Sequence, residues 1–344
     1  MESSIYVVLL ILVNVAIWVI LSLIPRLKNK NKIFLVLSFI SLWVFLTIRE
    51  PYSDMIAYEK YFKTLNTSSF EVVFVNRWEI LFKVLLFMIR LITSDTHVMM
   101  GIIALITLAG PFLFIKRYSN NYLLAIVMFI AFGSFHIQFY ILRQAIALSI
   151  VLMAFHFIGE KKFFKYCLAI VIAALFHKTS CIMLLLYPIV NIPPSRYKNV
   201  AMGIVMALGV IFSSQLSNFL MIGFYDEYTE RVNFGNGIGM LLLYVCMYMV
   251  YLLLKRWRRT NEKEEITKGN LFAIIMQFFA VINNCFSRLV DYVRDSFVIA
   301  IPNSVQQLNA KNRMLLSVVV IIACVLFVLI TGNIEGYSIC FLNG

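Results

Sequence analysis

Long apolar runs recur from one end of the chain to the other, parted by short polar turns. They lie at Ile5–Ile24, Ile33–Ile48, Val98–Ile115, Tyr122–His136, Leu142–Ile158, Phe164–Phe176, Thr179–Val190, Val200–Ser217, Ile238–Leu254, Leu271–Ser287, Ser296–Ala310 and Met314–Ile330. A helix needs about 20 apolar residues to cross about 30 Å of hydrocarbon. The shorter runs fit a locally thinned bilayer or broken helices. The pattern predicts an all-α polytopic membrane protein with about 12 transmembrane helices, built as one integral membrane domain over residues 1–344. Glu2, with no basic residues ahead of the first run, argues for a retained first helix over a cleaved signal.

The polar positions set the orientation. Arg26, Lys28, Lys30 and Lys32 follow the first run and hold that loop in the cytoplasm. The chain then stays outside over residues 49–96, an outer loop carrying Glu50, Asp54, Glu59, Glu71, Glu79 and Asp95. Within it Ser53 is placed to cap a helix on which Asp54, Tyr58 and Phe62 share one face. Trp78–Ile92 is apolar but short, and it carries Glu79, Lys83 and Arg90. If it crossed, Lys116 and Arg117 would fall outside. If it lies along the outer interface, they and the later basic loops fall inside, so it reads as an amphipathic juxtamembrane helix. A second outer loop is expected over residues 218–237, with Asp226, Glu227, Glu230 and Arg231.

Composition agrees: 62% of the 344 residues are hydrophobic and 14% charged, far from a soluble domain. The formal net charge of +13 does not indicate nucleic acid, because the cations cluster in short loops between apolar runs. Cys167, Cys181, Cys246, Cys285, Cys324 and Cys340 show no disulfide or zinc spacing and read as small core residues. There is no P-loop, HExxH, paired CxxC or dinucleotide-binding glycine motif, and no metal or cofactor is expected.

Ionisable groups at membrane depth are functional candidates by default. Arg143-Gln144 sits at the outer mouth of an apolar helix, either to clamp a phosphate with its planar fork or as a snorkelling arginine paired with a carboxylate. His177-Lys178 interrupts two apolar runs. The histidine suits titration near neutral pH or donation to a diphosphate, and the segment equally suits a capped tight turn. Arg288 precedes Asp291, Tyr292, Arg294 and Asp295, where Asp291 and Arg294 are spaced to pair along a helix. Arg49 and Asp54 either pair with each other or supply the cation and carboxylate that glycosyl transfer needs. Glu79, beside Trp78, reads on residue type as an interface anchor, and Tyr52, Tyr58, Tyr61 and Trp78 suit stacking on sugar rings.

In order, Arg49…Asp54…Tyr58…Phe62, Glu79-Ile80-Leu81-Phe82, Arg143-Gln144-Ala145-Ile146-Ala147, Phe176-His177-Lys178-Thr179-Ser180 and Arg288…Tyr292 resemble the EpsG family of Wzy-like polysaccharide polymerases. The family usually has a glycine ahead of the loop aspartate, where this chain reads Glu50-Pro51-Tyr52-Ser53. The resemblance implies a glycosyltransferase C-like enzyme of the bacterial plasma membrane, acting on its outer face on polyprenyl-diphosphate-linked oligosaccharides to lengthen O-antigen, capsule or exopolysaccharide. It implies Asp54 as base for the acceptor hydroxyl. Arg143, Arg288 and Arg49 would hold the donor diphosphate, with His177 on the leaving phosphate. Gln144, Tyr58 and Glu79 would place sugar hydroxyls, with Lys178 and Tyr292 also lining the substrate. Chain-length regulators and flippases are partners by analogy.

Two other functions fit the residues: a flippase of the same lipid-linked sugars, or a transferase adding one sugar from a polyprenyl-phosphate donor. The lack of inverted repeats and the gathering of ionisable groups at one face favour an enzyme over a flippase. An acyltransferase is disfavoured because it would need an early His-Asp or similar pair, and His97 and His136 are read as having no such partner.

Overall fold

Each apolar run that falls among the described residues is helical. The computed structural model describes residues 2–71, 77–193, 195, 215, 237–258, 263–283 and 286–332, with no strand among them. The expected helix over 200–217 and outer loop over 218–237 lie outside the described residues, apart from Gln215 and Gly237.

In chain order the helices are α1 (Glu2–Leu23), α2 (Lys30–Thr47), α3 (Asp54–Thr64), α4 (Ile80–Ile92), α5 (Thr96–Tyr118), α6 (Tyr122–Ala131), α7 (Ile137–Tyr140), α8 (Leu142–Gly159), α9 (Phe163–Phe176) and α10 (Leu186–Asn191). After the undescribed stretch come α11 (Ile238–Arg258), α12 (Glu264–Ile282), α13 (Ser287–Gln306) and α14 (Ala310–Thr331). Seven of these, α1, α2, α5, α8, α11, α12 and α14, contain segments long and apolar enough to cross a membrane, and α6 with the bent stretch after it makes an eighth. The chain is a multi-pass membrane protein, and Leu9, Ile20, Val36, Leu253, Ile322 and Leu326 stand exposed on its helices.

Among the described residues eight candidate crossings are found against the expected total of about 12, and the expected spans differ from the structure segment by segment. Two expected spans, α9 and the Lys178–Asn191 stretch, are helices too short to qualify. The span expected at Tyr122–His136 bends by 52° between Ala131 and Ser134. Asp295 sits at the break, accepting from Ser134 N–H at 2.8 Å and Ser134 Oγ at 2.6 Å, where Gly133 leaves room for its carboxylate. The polar stretch Arg288–Asp295, expected between two spans, is itself helical, because α13 starts at Ser287 and carries those charges inside the bundle. There Arg294 pairs with Asp291 at 2.7 Å, and Asp295 accepts from the Ser134 N–H and hydroxyl.

Helices α5 and α8 approach most closely where α5 turns through Gly110-Pro111. Pro111 cannot donate within the helix, and the Gly110 N–H donates to Ser149 Oγ (2.9 Å), whose own hydroxyl donates to the Ile106 carbonyl at 2.7 Å. A Cβ on Gly110 would overlap the Ser149 backbone, so glycine sets this spacing.

The stretch over residues 49–96 builds two short helices instead of spans. At 13 residues α4 is about 20 Å long, too short to cross. It buries Phe82, Leu86 and Ile89 while Met88, Leu91 and Ile92 stay exposed, which is the amphipathic character expected of it. α3 buries Met55, Tyr58 and Phe62 against it. Ser53 does precede α3, but its side chain makes no cap. Its backbone adopts φ 55°, ψ −129°, a glycine-favouring conformation. The turn is closed instead by Met55 N–H to the Tyr52 carbonyl. Of the cysteines, Cys324 is buried, whereas Cys181 and Cys246 are exposed on helix faces, contrary to a core role for them. Cys285 and Cys340 lie outside the described residues.

Candidate functional site

Three separate pieces of the chain meet at the Glu79 carboxylate: the end of the polar stretch, the start of α8 and the break after α9. Glu79 immediately precedes α4. Its carbonyl accepts from Lys83 N–H at 3.3 Å, starting the helix, while its side chain turns into the bundle. There Oε2 accepts from Arg143 Nη1 at 2.6 Å, and Oε1 accepts from His177 Nδ1 at 3.2 Å and from the Lys178 backbone N–H at 3.3 Å. Burial by itself would raise this carboxyl, but the His177 and Arg143 contacts outweigh it and hold Glu79 at about 2.

His177 is held by its backbone. Its N–H closes α9 on the Ala173 carbonyl (2.9 Å) and its carbonyl accepts from Ser180 N–H (3.1 Å), so the ring is fixed at the junction of two helical segments. An ionised Glu79 places the ring proton on Nδ1 and leaves the lone pair on Nε2. That Nε2 is buried and has no hydrogen-bond partner. Burial pushes the imidazole below its usual range against the pull of Glu79, so it stays neutral.

Arg143 lies on the first turn of α8. Besides Glu79 it donates from Nε to Tyr58 Oη at 3.4 Å, and its guanidinium sits 5.6 Å from the centre of the Trp78 ring. Tyr58, Tyr61, Trp78 and Phe82 pack edge to face around it, with Tyr58 and Trp78 centroids 4.9 Å apart. Burial pushes the Tyr58 phenol up to about 12. Its ring is fully enclosed by these neighbours, whereas Tyr52 remains exposed against Tyr140.

The next residue, Gln144, points about 100° round the helix and meets α13. Its Nε2 donates to the Arg288 carbonyl at 2.7 Å and to Asp291 Oδ2 at 3.3 Å. Arg288, on the first turn of α13, is near enough for its charge to act on both Tyr58 and His177. One turn on, Tyr292 shares a hydrogen bond of 3.1 Å with Thr179. The helix after His177 and α13 are thus tied together beside the cluster.

Tyr58, Glu79, Arg143, His177 and the Lys178 backbone therefore come together, with Gln144, Arg288 and Tyr292 on the adjoining side. Asp54 stands at the first turn of α3, one turn before Tyr58, and its charge acts on that phenol. Arg49 is buried with its guanidinium 5.0 Å from the centre of the Phe139 ring. The interface-anchor reading of Glu79 is corrected, since its carboxylate is the hub of the cluster. Asp291 and Thr179 were not singled out as site residues, although Thr179 lies in the Phe176–Ser180 motif. The partnerless His136 of the acyltransferase argument is also corrected: its Nε2 lies 3.9 Å from Asp291 Oδ1 and its ring meets Arg294 Nη1 at 3.3 Å. Among the described residues, no group of three or more His, Cys, Asp or Glu is placed to hold a metal ion.

The arrangement combines an arginine fork, held by a carboxylate and aromatic rings, with a neutral histidine oriented by the same carboxylate. Such a set of groups can hold an anion and accept a proton. The sequence model of the EpsG family matches residues 32–341 of this chain. No curated protein and no solved structure matches it.

Proposed function

The chain belongs to the EpsG family, a family of Wzy-like polysaccharide-polymerase-type membrane proteins, and we propose that it is the polymerase of a lipid-linked glycan. In this reading it passes a growing glycan from a polyprenyl-diphosphate carrier to a sugar hydroxyl of the next lipid-linked repeat, on the outer face of a bacterial plasma membrane. The observation that carries it is the Glu79–Arg143–His177 cluster, because family membership alone supports only a role in polysaccharide synthesis. The Arg143 guanidinium has five N–H groups, and Glu79 and Tyr58 engage only part of the fork. The remaining N–H groups match the oxygens of a diphosphate, and Arg288 adds a second positive charge beside them. As the glycosyl–phosphate bond breaks, negative charge builds on the diphosphate, where fixed cations stabilise it most.

The same reading sets the wider architecture. The short helices α3 and α4 lie on the outer surface beside the site, as in a glycosyltransferase C-like enzyme. The test is the polymer profile of a deletion strain carrying wild type or Arg143→Ala at equal expression. A ladder that collapses to single repeats, and returns only with wild type, supports a polymerase. An unchanged length distribution in the deletion strain refutes it in favour of a single-sugar transferase. Repeats stranded on the cytoplasmic face refute it in favour of a flippase.

A further inference from the structure

His177 Nε2 is one of sixteen buried side-chain nitrogens and oxygens without a hydrogen-bond partner among the described residues, and it sits on the ring that Glu79 orients. Buried polar atoms in folded chains are nearly all paired, and an exception calls for a reason. On the other edge of the same ring, Nδ1 is bound to Glu79 Oε1 at 3.2 Å, which fixes both tautomer and ring orientation. Two backbone hydrogen bonds hold the main chain at that residue. A carboxylate that orients an imidazole and leaves its far nitrogen basic is the arrangement a general base requires.

We infer that His177 Nε2 is the general base that takes the proton of the acceptor sugar hydroxyl, with Glu79 as its positioning residue. The inference rests on the polymerase reading. It moves the role away from Asp54, which stands on the first turn of α3 and is only partly buried. In the transfer the acceptor oxygen forms a bond to the anomeric carbon of the donor glycan. The bond from that carbon to the diphosphate oxygen breaks, and its electron pair leaves with the polyprenyl diphosphate. The hydroxyl proton passes to Nε2, and the imidazolium so formed is stabilised by Glu79 until it returns the proton to solvent or to the departing phosphate. No metal, oxidant or further reactant is needed for this balance.

The burial of Nε2 has its own chemical use. A base in contact with solvent would activate water and hydrolyse the lipid-linked donor. One closed off until a sugar displaces the groups over it favours the hydroxyl. The charged and titratable groups that face the ring are Glu79 from the start of α4, Arg143 from α8 and Arg288 from α13, with Lys178 adjacent in the chain. The two arginines disfavour an imidazolium, and Glu79 alone favours it.

The experiment uses membranes of the deletion strain, which hold that strain's own lipid-linked repeat, complemented with wild type, His177→Ala, His177→Gln or Glu79→Gln. The initial rate of polymer formation is followed from pH 4 to 9, with and without added imidazole. Expected are a rate at least about a hundredfold lower for both His177 variants, partial recovery of His177→Ala with imidazole, and loss in those variants of the wild type's decline on the acid side. Glu79→Gln shifts that acid decline as well as lowering the rate. If either His177 variant reaches the membrane at wild-type level and polymerises within about threefold of wild type, His177 is not the base, though the polymerase reading survives. If neither variant accumulates, the wild-type profile decides: an acid decline centred below the ordinary imidazole value of about 6.5 supports the base, and a profile flat down to pH 4, or a decline centred above that value, overturns it. Wild type that makes no polymer from the repeat overturns the polymerase reading itself.

Discussion

Replacing Glu79 by glutamine keeps the side chain's shape and removes its charge, which isolates what the carboxylate contributes to the fold. Breaking one partner of a buried ion pair costs about 3–5 kcal/mol, because the other charge is left uncompensated. Two features reduce that here. The Arg143 side chain is 20% exposed, and it keeps the faces of Trp78 and Tyr58 at 5.6 and 6.0 Å, together worth about 1 kcal/mol. The expected loss for Glu79→Gln is therefore about 2–3 kcal/mol. A separate route gives a similar figure: a carboxyl held at about 2 instead of its ordinary 4.5 corresponds to about 3 kcal/mol. Arg143→Met alone costs a comparable amount, since it leaves Glu79 buried with only His177 and a backbone N–H. The double variant buries neither charge, so its loss falls short of the sum by about 2 kcal/mol. The assay is equilibrium unfolding of the four proteins in mixed micelles, followed by intrinsic fluorescence. Single effects that add to within about 0.5 kcal/mol would show that Glu79 and Arg143 do not interact in the folded chain, and the cluster described above would be wrong.

Three further outcomes follow from the same geometry. Glu79 is held at about 2 when folded against 4.5 when free, so its contribution is complete above pH 4.5 and is lost as pH falls towards 2. Unfolding midpoints of wild type and Glu79→Gln should converge over that window, and parallel curves would refute the assignment. Ser53→Gly relieves a backbone at φ 55°, ψ −129° and should stabilise the chain by about 1 kcal/mol with polymer formation retained; a lower unfolding midpoint would contradict the strain. Gly110→Ala drives a methyl into the Ser149 backbone and should cost about 1–3 kcal/mol by forcing α5 and α8 apart, whereas an unchanged midpoint would mean that the two helices do not touch there.

The class of the fold was legible because hydrocarbon imposes a single rule on every crossing, and long apolar runs such as those of α1, α5 and α14 obey it. The short helices near 49–96 were legible too, because the fate of Lys116 and Arg117 depends on whether Trp78–Ile92 crosses. What composition could not show is which charges neutralise each other inside the bundle. Asp291, Arg294 and Asp295 read as a polar stretch between two spans, yet α13 carries them inward, where Arg294 pairs with Asp291 and Ser134 at the broken end of α6 hydrogen-bonds Asp295. Glu79 illustrates the same limit at the candidate site. Beside a tryptophan in an apolar amphipathic segment, its type indicates an interface, and no local pattern along the chain connects it with residues 64 and 98 positions away. The signal that could have raised it is an imbalance: Arg143, His177 and Arg288 share the expected site with one named acid, Asp54, at the first turn of α3. Two buried groups that hydrogen-bond one anion call for a carboxylate at their own depth, and Glu79 is the acid of that outer stretch which follows α3 and adjoins the buried face of α4. Its position makes the arginine fork and the histidine dependent on a single side chain, so Glu79→Gln should impair donor binding and proton transfer together, where Arg143→Ala impairs chiefly the first and His177→Ala the second.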